Sequence, residues 1–462
     1  LVFPNLLNLI KNSKKDISTS TKDFIYGQAK SYIYDNVNGY TLKEGNIYCI
    51  GLKDLVSKNY LNTPLKDAES GNDIDLSKQI EVKVNNNDYS YELVETCTPK
   101  SYYTDNSGAN TPKLFNNMVP IKYENNKWLV ADLYSKWYDY NSKQWANAVV
   151  LNSGVTKNVG DEVTEEDVAL WYVWLPRYKY KKFSNTPKEQ EISVTFENGT
   201  STTGTGENVT HPAFTFGNTE LTGFWVGKFE ISTTDSACNS SATSANCDKV
   251  LTMTIKPNVS SWRYATISNH FTSIQNAKTT YGINNADSHM MKNMEWGAVA
   301  YLKQSKYGLG TTDIAVNDNA SYYTGGGTSD AYKTNVAQST TGNIYGVYDM
   351  SGGAWEYVMG NYNDTISSSG FSSMPDKKYY NKYTSSTGKM GDATMETLKT
   401  SGTYGGGDGW YSDFTKFPPT NGQWFYRSGG NSDAKYAGVF YFYSSGGQSI
   451  KTNSSRAVLS AQ

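Results

Sequence analysis

Charged residues are scarce in this chain of 462 residues, of which Asp, Glu, Lys and Arg make up 19%, against about 25% in an average globular protein. The formal net charge is -2, so the chain offers no positive excess for nucleic acid or an anionic membrane surface. Long apolar runs are also missing. The longest, Val168–Leu175 and Ala437–Tyr443, have the length of buried strands and fall short of the roughly 18 residues of a membrane span.

Cysteine is rare, with four residues in the chain. Their positions pair as Cys49 with Cys97 and Cys238 with Cys247, and the second pair encloses the Ser/Thr/Asn-rich loop SACNSSATSANCD. A metal site would need further thiolates or histidines at ligand spacing, and neither pair has them. Two disulfides formed in an extracytoplasmic compartment are therefore favoured. Four reduced, buried thiols are the alternative.

Tyrosine, asparagine, serine, threonine and glycine take the place of charge, with 37 Tyr and 40 Gly. This composition is typical of binding loops, in which Tyr supplies contact area at low entropic cost and small polar residues adapt around it. The 11 Trp and 16 Phe can bury ample surface, so the chain is not disordered throughout.

The first 112 residues predict a small α+β unit. Apolar residues recur near helical spacing from Leu6 to about Asn36 and predict an amphipathic helix. NIYCIGLKDLVSKNYL predicts a short strand followed by a short helix. IEVKVNNNDYSYELVE alternates on both sides of NNND and predicts a β-hairpin.

This order of a long helix, EGNIYCIGLKDLVSKNYL and an alternating hairpin resembles the soluble part of type IV pilin-like proteins of Gram-positive lineages. In that family an apolar half-helix precedes the amphipathic half and anchors the subunit in the membrane or filament. LVFPNLLNLI would be its last turns, with Pro4 at a kink. The resemblance implies a pilus or cell-surface location, other pilin subunits as partners, and membrane contact only through a helix that this chain lacks.

Residues 113–161 predict Trp-rich connecting strands, and residues 162–462 predict a loop-rich domain of short strands. The clearest helix is MMKNMEWGAVAYLKQSKYG, with Gly308 as its stop. Five collinear segments resemble the formylglycine-generating-enzyme-like branch of the C-type-lectin-like fold. They are Val173–Pro176, Phe224–Glu230, Met294–Ala298, Gly346–Val358, and Trp424–Arg427 leading to Ser455–Leu459.

Glu356 lies between aromatic residues in the fourth segment and needs a cation or donors to be tolerated there. In relatives an equivalent glutamate with nearby carbonyl groups holds calcium, which makes Glu356 a calcium candidate and calcium a possible cofactor. Gly353 departs from the family, which usually has Asn at that position. The alternative is a core ion pair of Glu356 with Arg427 or Arg456.

The reactive residues of the enzymes with this fold are missing from the matching positions. The copper-dependent members need a cysteine pair near the C-terminus, and no cysteine follows Cys247. The iron-dependent members need closely spaced histidines, whereas His211, His270 and His289 are isolated. The sequence therefore predicts a non-enzymatic protein without a required cofactor. A divergent oxidoreductase of the same fold, or a structural pilin subunit, is the alternative.

The segment of about 410–456 resembles the variable region of proteins that are diversified by retroelements. Ala437–Phe440 and Phe442 predict a scaffold. Many positions around them carry residues that Asn codons reach by changes at their adenines, whereas Lys435, Gln448 and Lys451 do not fit this rule. The alternative is an ordinary loop-rich terminus. The resemblance implies a surface adhesin or receptor for an unknown extracellular protein or glycan. Its predicted ligand-binding residues are Asn431, Ser432, Asp433, Tyr436, Tyr441, Tyr443, Ser444, Ser445, Ser449, Ile450, Thr452 and Ser455.

Overall fold

The structure is a computed structural model that describes residues 16–85, 87–201, 203–238, 245–418 and 422–462. The chain divides into two compact units between Tyr103 and Thr104. The apolar start LVFPNLLNLI, with Pro4, lies outside the described residues, as does most of the loop between Cys238 and Cys247. Among the helices described, none has the length and apolar character that a membrane crossing requires.

The first unit packs one helix against a three-stranded antiparallel sheet. The helix buries Ile25, Ala29 and Ile33, which recur every four residues, against alternate residues of the central strand. The predicted short strand, short helix and hairpin are confirmed. The elements are α1 (Thr19–Asp35), β1 (Ile47–Gly51), α2 (Leu52–Ser57), β2 (Gln79–Asn85) and β3 (Asp88–Val94). A disulfide joins Cys49 to Cys97, as expected.

The second unit contains many short strands. In chain order they are β4 (Met118–Glu124), β5 (Lys127–Val130), β6 (Asn147–Leu151), β7 (Val168–Pro176), β8 (Tyr178–Lys181), β9 (Val194–Phe196), β10 (Asn208–Thr210), β11 (Thr215–Phe216), β12 (Thr219–Glu220), β13 (Gly223–Gly227), β14 (Ser232–Thr233), β15 (Met253–Thr254), β16 (Ala286–Met290), β17 (Trp355–Tyr362), β18 (Asn381–Tyr383), β19 (Trp424–Ser428), β20 (Gly438–Ser445), β21 (Asn453–Ser455) and β22 (Ala457–Ala461). Its helices are α3 (Ile267–Thr280), α4 (Asn293–Lys303) and α5 (Ala331–Thr334).

Seven of these strands form one antiparallel sheet in the order β16-β22-β13-β7-β6-β4-β5. The uncharged strand β7 lies at its centre and is buried at every residue, as its composition predicts. β4, β5 and β6 belong to this sheet, so residues 113–161 are part of the second unit rather than a separate connector. They join the sheet because β6 pairs with β7 over five residue pairs.

A second, five-stranded sheet has the order β18-β17-β19-β20, with β21 paired to β17 beside β18. β17, β19 and β20 are antiparallel neighbours, although about 60 residues of chain separate β17 from β19. Helix α4 is buried along its whole length, and its observed end at Lys303 precedes the expected stop at Gly308. The described chain combines helices with mostly antiparallel sheets, which agrees with the predicted α+β class.

Candidate ligand-binding surface

Three neighbouring strands of the five-stranded sheet place tyrosines in one row. Tyr357 of β17 is paired with Tyr426 of β19, which is paired with Tyr443 of β20. The ring centroids are 6.2 Å apart in the first pair and 5.6 Å apart in the second, both edge to face. Side chains at paired positions project from the same face of a sheet. The register of the three strands therefore places the three rings in one row on the same side of the sheet, with Tyr443 as its most accessible member.

The opposite face of the same strands is core. Phe425 contacts Phe442 with a centroid distance of 4.9 Å, and both are buried. Arg427 lies over the ring of Trp296 in α4 and donates to the carbonyl oxygens of Asp392 and Ala393. Because successive residues of a strand point to opposite faces, the core fixes the outward direction of the tyrosine row.

We name this outward surface the aromatic face and define it by Trp355, Tyr357, Phe414, Tyr426, Tyr441 and Tyr443. Tyr426 stacks on Tyr441 at 6.2 Å, and Phe414 contacts both Tyr441 and Tyr443. Trp355 lies 5.7 Å from Tyr426. Trp355, Phe414 and Tyr443 are half-buried, whereas the other three are buried. Burial raises the pKa of Tyr426 and of Tyr441 above the ordinary value, so their hydroxyl groups stay neutral.

The loop between β19 and β20 borders one side of the aromatic face. Asp433 accepts hydrogen bonds through Oδ2 from Nε1 of Trp355, at 2.7 Å, and from the amide of Gly430, at 2.8 Å. Asn431 donates from Nδ2 to the carbonyl oxygen of Asn319 at 2.9 Å. Both side chains are half-buried. Their hydrogen bonds hold the loop and the indole in place.

The same loop carries two of the predicted residues in exposed positions. Ser432 is exposed, and Tyr436 is 44% exposed. The carbonyl oxygen of Tyr436 accepts from the amide of Phe414 at 3.0 Å, which fixes the loop next to the aromatic face. Ser432 and Tyr436 can therefore contact a ligand that covers Phe414.

The segment from Gly446 to Thr452 follows β20 and reaches the face at Trp355. The carbonyl oxygen of Thr452 accepts from the amide of Trp355 at 3.0 Å, and that of Gln448 accepts from the hydroxyl of Tyr357 at 2.8 Å. Ser449 donates to Asp248, and Ile450 is half-buried. Thr452 is thus brought to the edge of the aromatic face, whereas the hydrogen bonds of Ser449 and Ile450 lead to Asp248 and Tyr264.

Four predicted ligand-binding residues are buried, which corrects the prediction for them. Ser444 is paired with Phe425 and lies on the core side of the sheet. Ser445 shares a hydrogen bond with the hydroxyl of Tyr357 at 2.9 Å. Ser455 is fully buried in β21, and Tyr441 is only 5% exposed beneath its ring neighbours. Strand alternation explains Ser444, because a pleated strand presents only one face to a ligand. Tyr441 and Ser445 lie on the outward side of β20 but are covered by neighbouring side chains.

Four residues of the aromatic face are absent from the predicted ligand-binding residues. They are Trp355, Tyr357, Phe414 and Tyr426. The alternation Trp355-Glu356-Tyr357 could have indicated a strand with Glu356 on one face and both aromatic rings on the other. No local pattern indicates Phe414, since its ring reaches the face from a loop that runs beside β20.

Glu356 forms a buried ion pair in the core and is not accessible to a ligand. Its Oε2 accepts from Nε of Arg456 at 2.9 Å, its Oε1 accepts from Nη2 of Arg456, and both residues are fully buried. Arg456 also donates to the carbonyl oxygens of Gly227 and Tyr348. The structure thus supports the ion-pair alternative, with Arg456 and not Arg427 as the partner. No group of three metal-ligating side chains occurs in the described ranges.

Two further carboxyl groups lie near this pair. Burial raises the pKa of Glu230 well above its ordinary value, and the charges of Asp349 and Glu356 add to that shift. Burial also raises the pKa of Asp349. Glu230 accepts through Oε1 from the amide of Ala354 at 2.9 Å. Gly353 has a positive φ, and a Cβ there would lie 2.5 Å from this Oε1, so a larger residue at position 353 would require the Glu230 carboxyl group to shift.

The three histidines are all fully buried and remote from solvent. His289 is not isolated, because it lies 3.0 Å from a carboxylate oxygen of Asp287 and 3.0 Å from one of Glu295. Burial lowers its pKa, but the two carboxylates outweigh burial and the net shift is upward. Burial lowers the pKa of His211 and of His270 to about 3. These residues serve the core and do not reach the aromatic face.

No protein-family model and no curated protein matches the chain. Among solved structures, the "Major Tropism Determinant I1 Variant" is 11% identical to it, with a TM-score of 0.27 over 83% of this chain and 81% of that chain. A likeness of this size does not define a shared fold. The interpretation of the surface therefore rests on its own geometry.

Proposed function

We propose that the aromatic face and its two flanking loops form a ligand-binding surface, and that the protein is a non-enzymatic adhesin or receptor. The observation that carries this proposal is the row Tyr357-Tyr426-Tyr443 on one face of a sheet whose other face is core. Half-exposed Trp355, Phe414 and Tyr443 supply rigid apolar contact area, and Ser432 and Thr452 supply adaptable hydrogen bonds around them. Such a combination is typical of recognition surfaces.

An extracellular location on the cell surface or a pilus is part of the proposal. The two disulfides, Cys49–Cys97 and Cys238–Cys247, support an oxidising compartment. Mass mapping without reduction is expected to find both linkages, whereas free thiols at all four positions would contradict an extracytoplasmic protein. The helix and three-stranded sheet of the first unit suit a pilin-like anchor, which immunogold labelling of filaments would test.

Binding arrays of extracellular proteins and glycans test the surface directly. The labelled full chain is expected to bind a subset of array members, and Trp355→Ala and Tyr443→Ala are expected to lose that binding. Tyr34→Ala is the matched control, since Tyr34 is a tyrosine of the first unit with 84% exposure. Binding that all three variants retain would contradict the proposal. Copper or iron bound in stoichiometric amounts would favour the oxidoreductase alternative instead.

We also propose that the outward loops are diversified by a retroelement. The residues of the two loops beside the aromatic face include Ser432, Tyr436 and Thr452, all of which an Asn codon can reach by changes at its adenines. The test is the surrounding DNA, where we expect a reverse-transcriptase gene and an imperfect copy of the end of this coding region. Differences between the copies should be confined to adenines and to codons of exposed positions. Their absence would leave a binding surface of fixed sequence.

A further inference from the structure

We propose that Trp355 and Asp433 together form a subsite for a cationic side chain, Lys or Arg, of a protein partner. The inference rests on the proposed function of the aromatic face and specifies the chemistry of what it binds. It begins from a difference between the two oxygens of one carboxylate.

Asp433 uses only one of its carboxylate oxygens within the protein. Oδ2 accepts both internal hydrogen bonds, from Trp355 Nε1 and from the amide of Gly430. Oδ1 accepts none from any residue that the structure describes, and no Lys, Arg or His of the described chain forms an ion pair with Asp433. An ionised carboxylate has room for about four donors. The half-exposed Asp433 therefore presents a negative charge with an available oxygen.

The ring of Trp355, like Oδ1 of Asp433, has no cation of this protein as a partner among the described residues. Lys435 lies 5.3 Å from the ring centroid of Tyr436, and Lys416 lies 5.6 Å from that of Tyr443. Within the described part of the chain, no cation lies over the ring of Trp355. Tyr436 and Tyr443 are thus each matched with a cation of this protein, whereas the indole, which is the best aromatic partner for a cation, is not.

The position of the indole is fixed, so the two groups can act together. Its Nε1 is bonded to Asp433, its backbone amide is bonded to the carbonyl oxygen of Thr452, and Gly430 lies against the ring edge, where a Cβ would be 3.1 Å from Nε1. A guanidinium can stack on an aromatic ring and donate to a carboxylate at once. The ammonium group of a lysine can also lie over the ring and donate to the carboxylate.

A protein partner fits this surface better than a small free cation. The aromatic face spans three strands and two loops, and it has an apolar centre with a polar rim. That is the anatomy of a protein interface, in which one desolvated aromatic or cationic contact carries much of the affinity. The subsite would therefore receive a basic residue that projects from an otherwise apolar patch of the partner.

A random peptide library displayed on phage and selected against the immobilised full chain tests this inference. Asp433→Asn removes the charge but keeps an oxygen that can accept from Trp355 and Gly430, so the indole stays in place. The matched control is Asp318→Asn, which removes an exposed carboxylate beside Asn319, the residue bonded to Asn431. Circular dichroism verifies that each variant is folded.

Peptides selected on the wild type are expected to be enriched in Arg and Lys. The best basic peptide should bind Asp433→Asn about 10-fold more weakly, as expected when a charge-assisted contact of about 1.4 kcal/mol is lost. It should bind Asp318→Asn unchanged and should not bind Trp355→Ala. A selection that yields no basic peptides, or basic peptides indifferent to Asp433→Asn, overturns the subsite.

The same experiment separates the subsite from the proposed function. Peptides without basic residues that still depend on Trp355 and Tyr443 would overturn the subsite and leave the aromatic face as a binding surface. Peptides of any kind that bind Trp355→Ala and Tyr443→Ala as well as the wild type would place the binding elsewhere and overturn both.

Discussion

Removal of the Arg456 guanidinium should destabilise the second unit strongly, because one positive charge serves several buried groups. Arg456→Met would leave the carboxylate of Glu356 buried without a partner, which typically costs about 3–5 kcal/mol. The carbonyl oxygens of Gly227 and Tyr348 would also lose their donors, at about 1 kcal/mol or more each. We therefore expect a loss of about 5–7 kcal/mol, less whatever Glu356 recovers by taking up a proton.

Glu356→Gln should cost much less than Arg456→Met. Arg456 would keep its two carbonyl acceptors, and the amide oxygen of the new glutamine could accept one of its hydrogen bonds. A loss of about 1–3 kcal/mol follows. The double variant should cost less than the sum of the two single variants, since each removes the same interaction.

Urea unfolding followed by tryptophan fluorescence measures these losses in the relevant unit, because all 11 Trp lie after residue 104. Equal losses for Arg456→Met and Glu356→Gln, or strict additivity in the double variant, would refute the ion-pair reasoning. Calcium supplies a second check. If calcium raised the wild-type midpoint and Glu356→Gln abolished that rise, Glu356 would be a metal ligand after all.

Three further predictions concern the pH dependence and the disulfides. The folded-state pKa of Glu230 is raised above its ordinary value of 4.5, so the folded state binds a proton that the unfolded state has lost. The free energy of unfolding should therefore fall as the pH rises above 4.5. Glu230→Gln should flatten this pH dependence in fluorescence-monitored unfolding, and an unchanged pH dependence would contradict the raised pKa. The pKa of His289 is raised above 6.5, so the charged imidazole should add to the free energy of unfolding below pH 6.5. This stabilisation should be lost as the pH rises through the folded-state pKa. His289→Gln should therefore destabilise the protein less in alkaline than in mildly acidic buffer, and an equal loss in both would argue against a charged imidazole. Removal of the Cys49–Cys97 disulfide, with a sequence separation of 48, should cost about 1.5 kcal/mol more than removal of Cys238–Cys247, with a separation of 9, because loop-closure entropy grows with loop length. Hydrogen exchange in each unit measures both losses. A larger loss for Cys238–Cys247 would refute the entropic account.

Much of the first unit follows from its sequence alone. The period-two alternation on both sides of NNND specifies a hairpin, and Ile25, Ala29 and Ile33 specify the buried side of α1. These patterns are local, since they depend on neighbouring residues of one element. The pairing of cysteines that close short or moderate loops could be predicted for the same reason.

The candidate site could be predicted only in part. The alternation of Phe440, Tyr441, Phe442 and Tyr443 separates scaffold from outward tyrosines within β20. The direction of a serine such as Ser444 is set by the same alternation, but a rule based on codons ignores it. Local sequence thus indicated which segment carries part of the candidate surface, and strand geometry decided which of its side chains face outward.

Only the tertiary structure decided which distant residues complete the surface and which polar groups remain available. Trp355 and Asp433 are 78 positions apart in the chain and form one hydrogen-bonded pair. Glu356 and Arg456 are 100 positions apart, and their pairing leaves no free carboxylate for calcium. Composition and alternation determine the kind of surface that a segment can present, because they act through neighbours in the chain. The partner of each buried or half-buried polar group depends on strand order and register, which arise only when distant segments pack together.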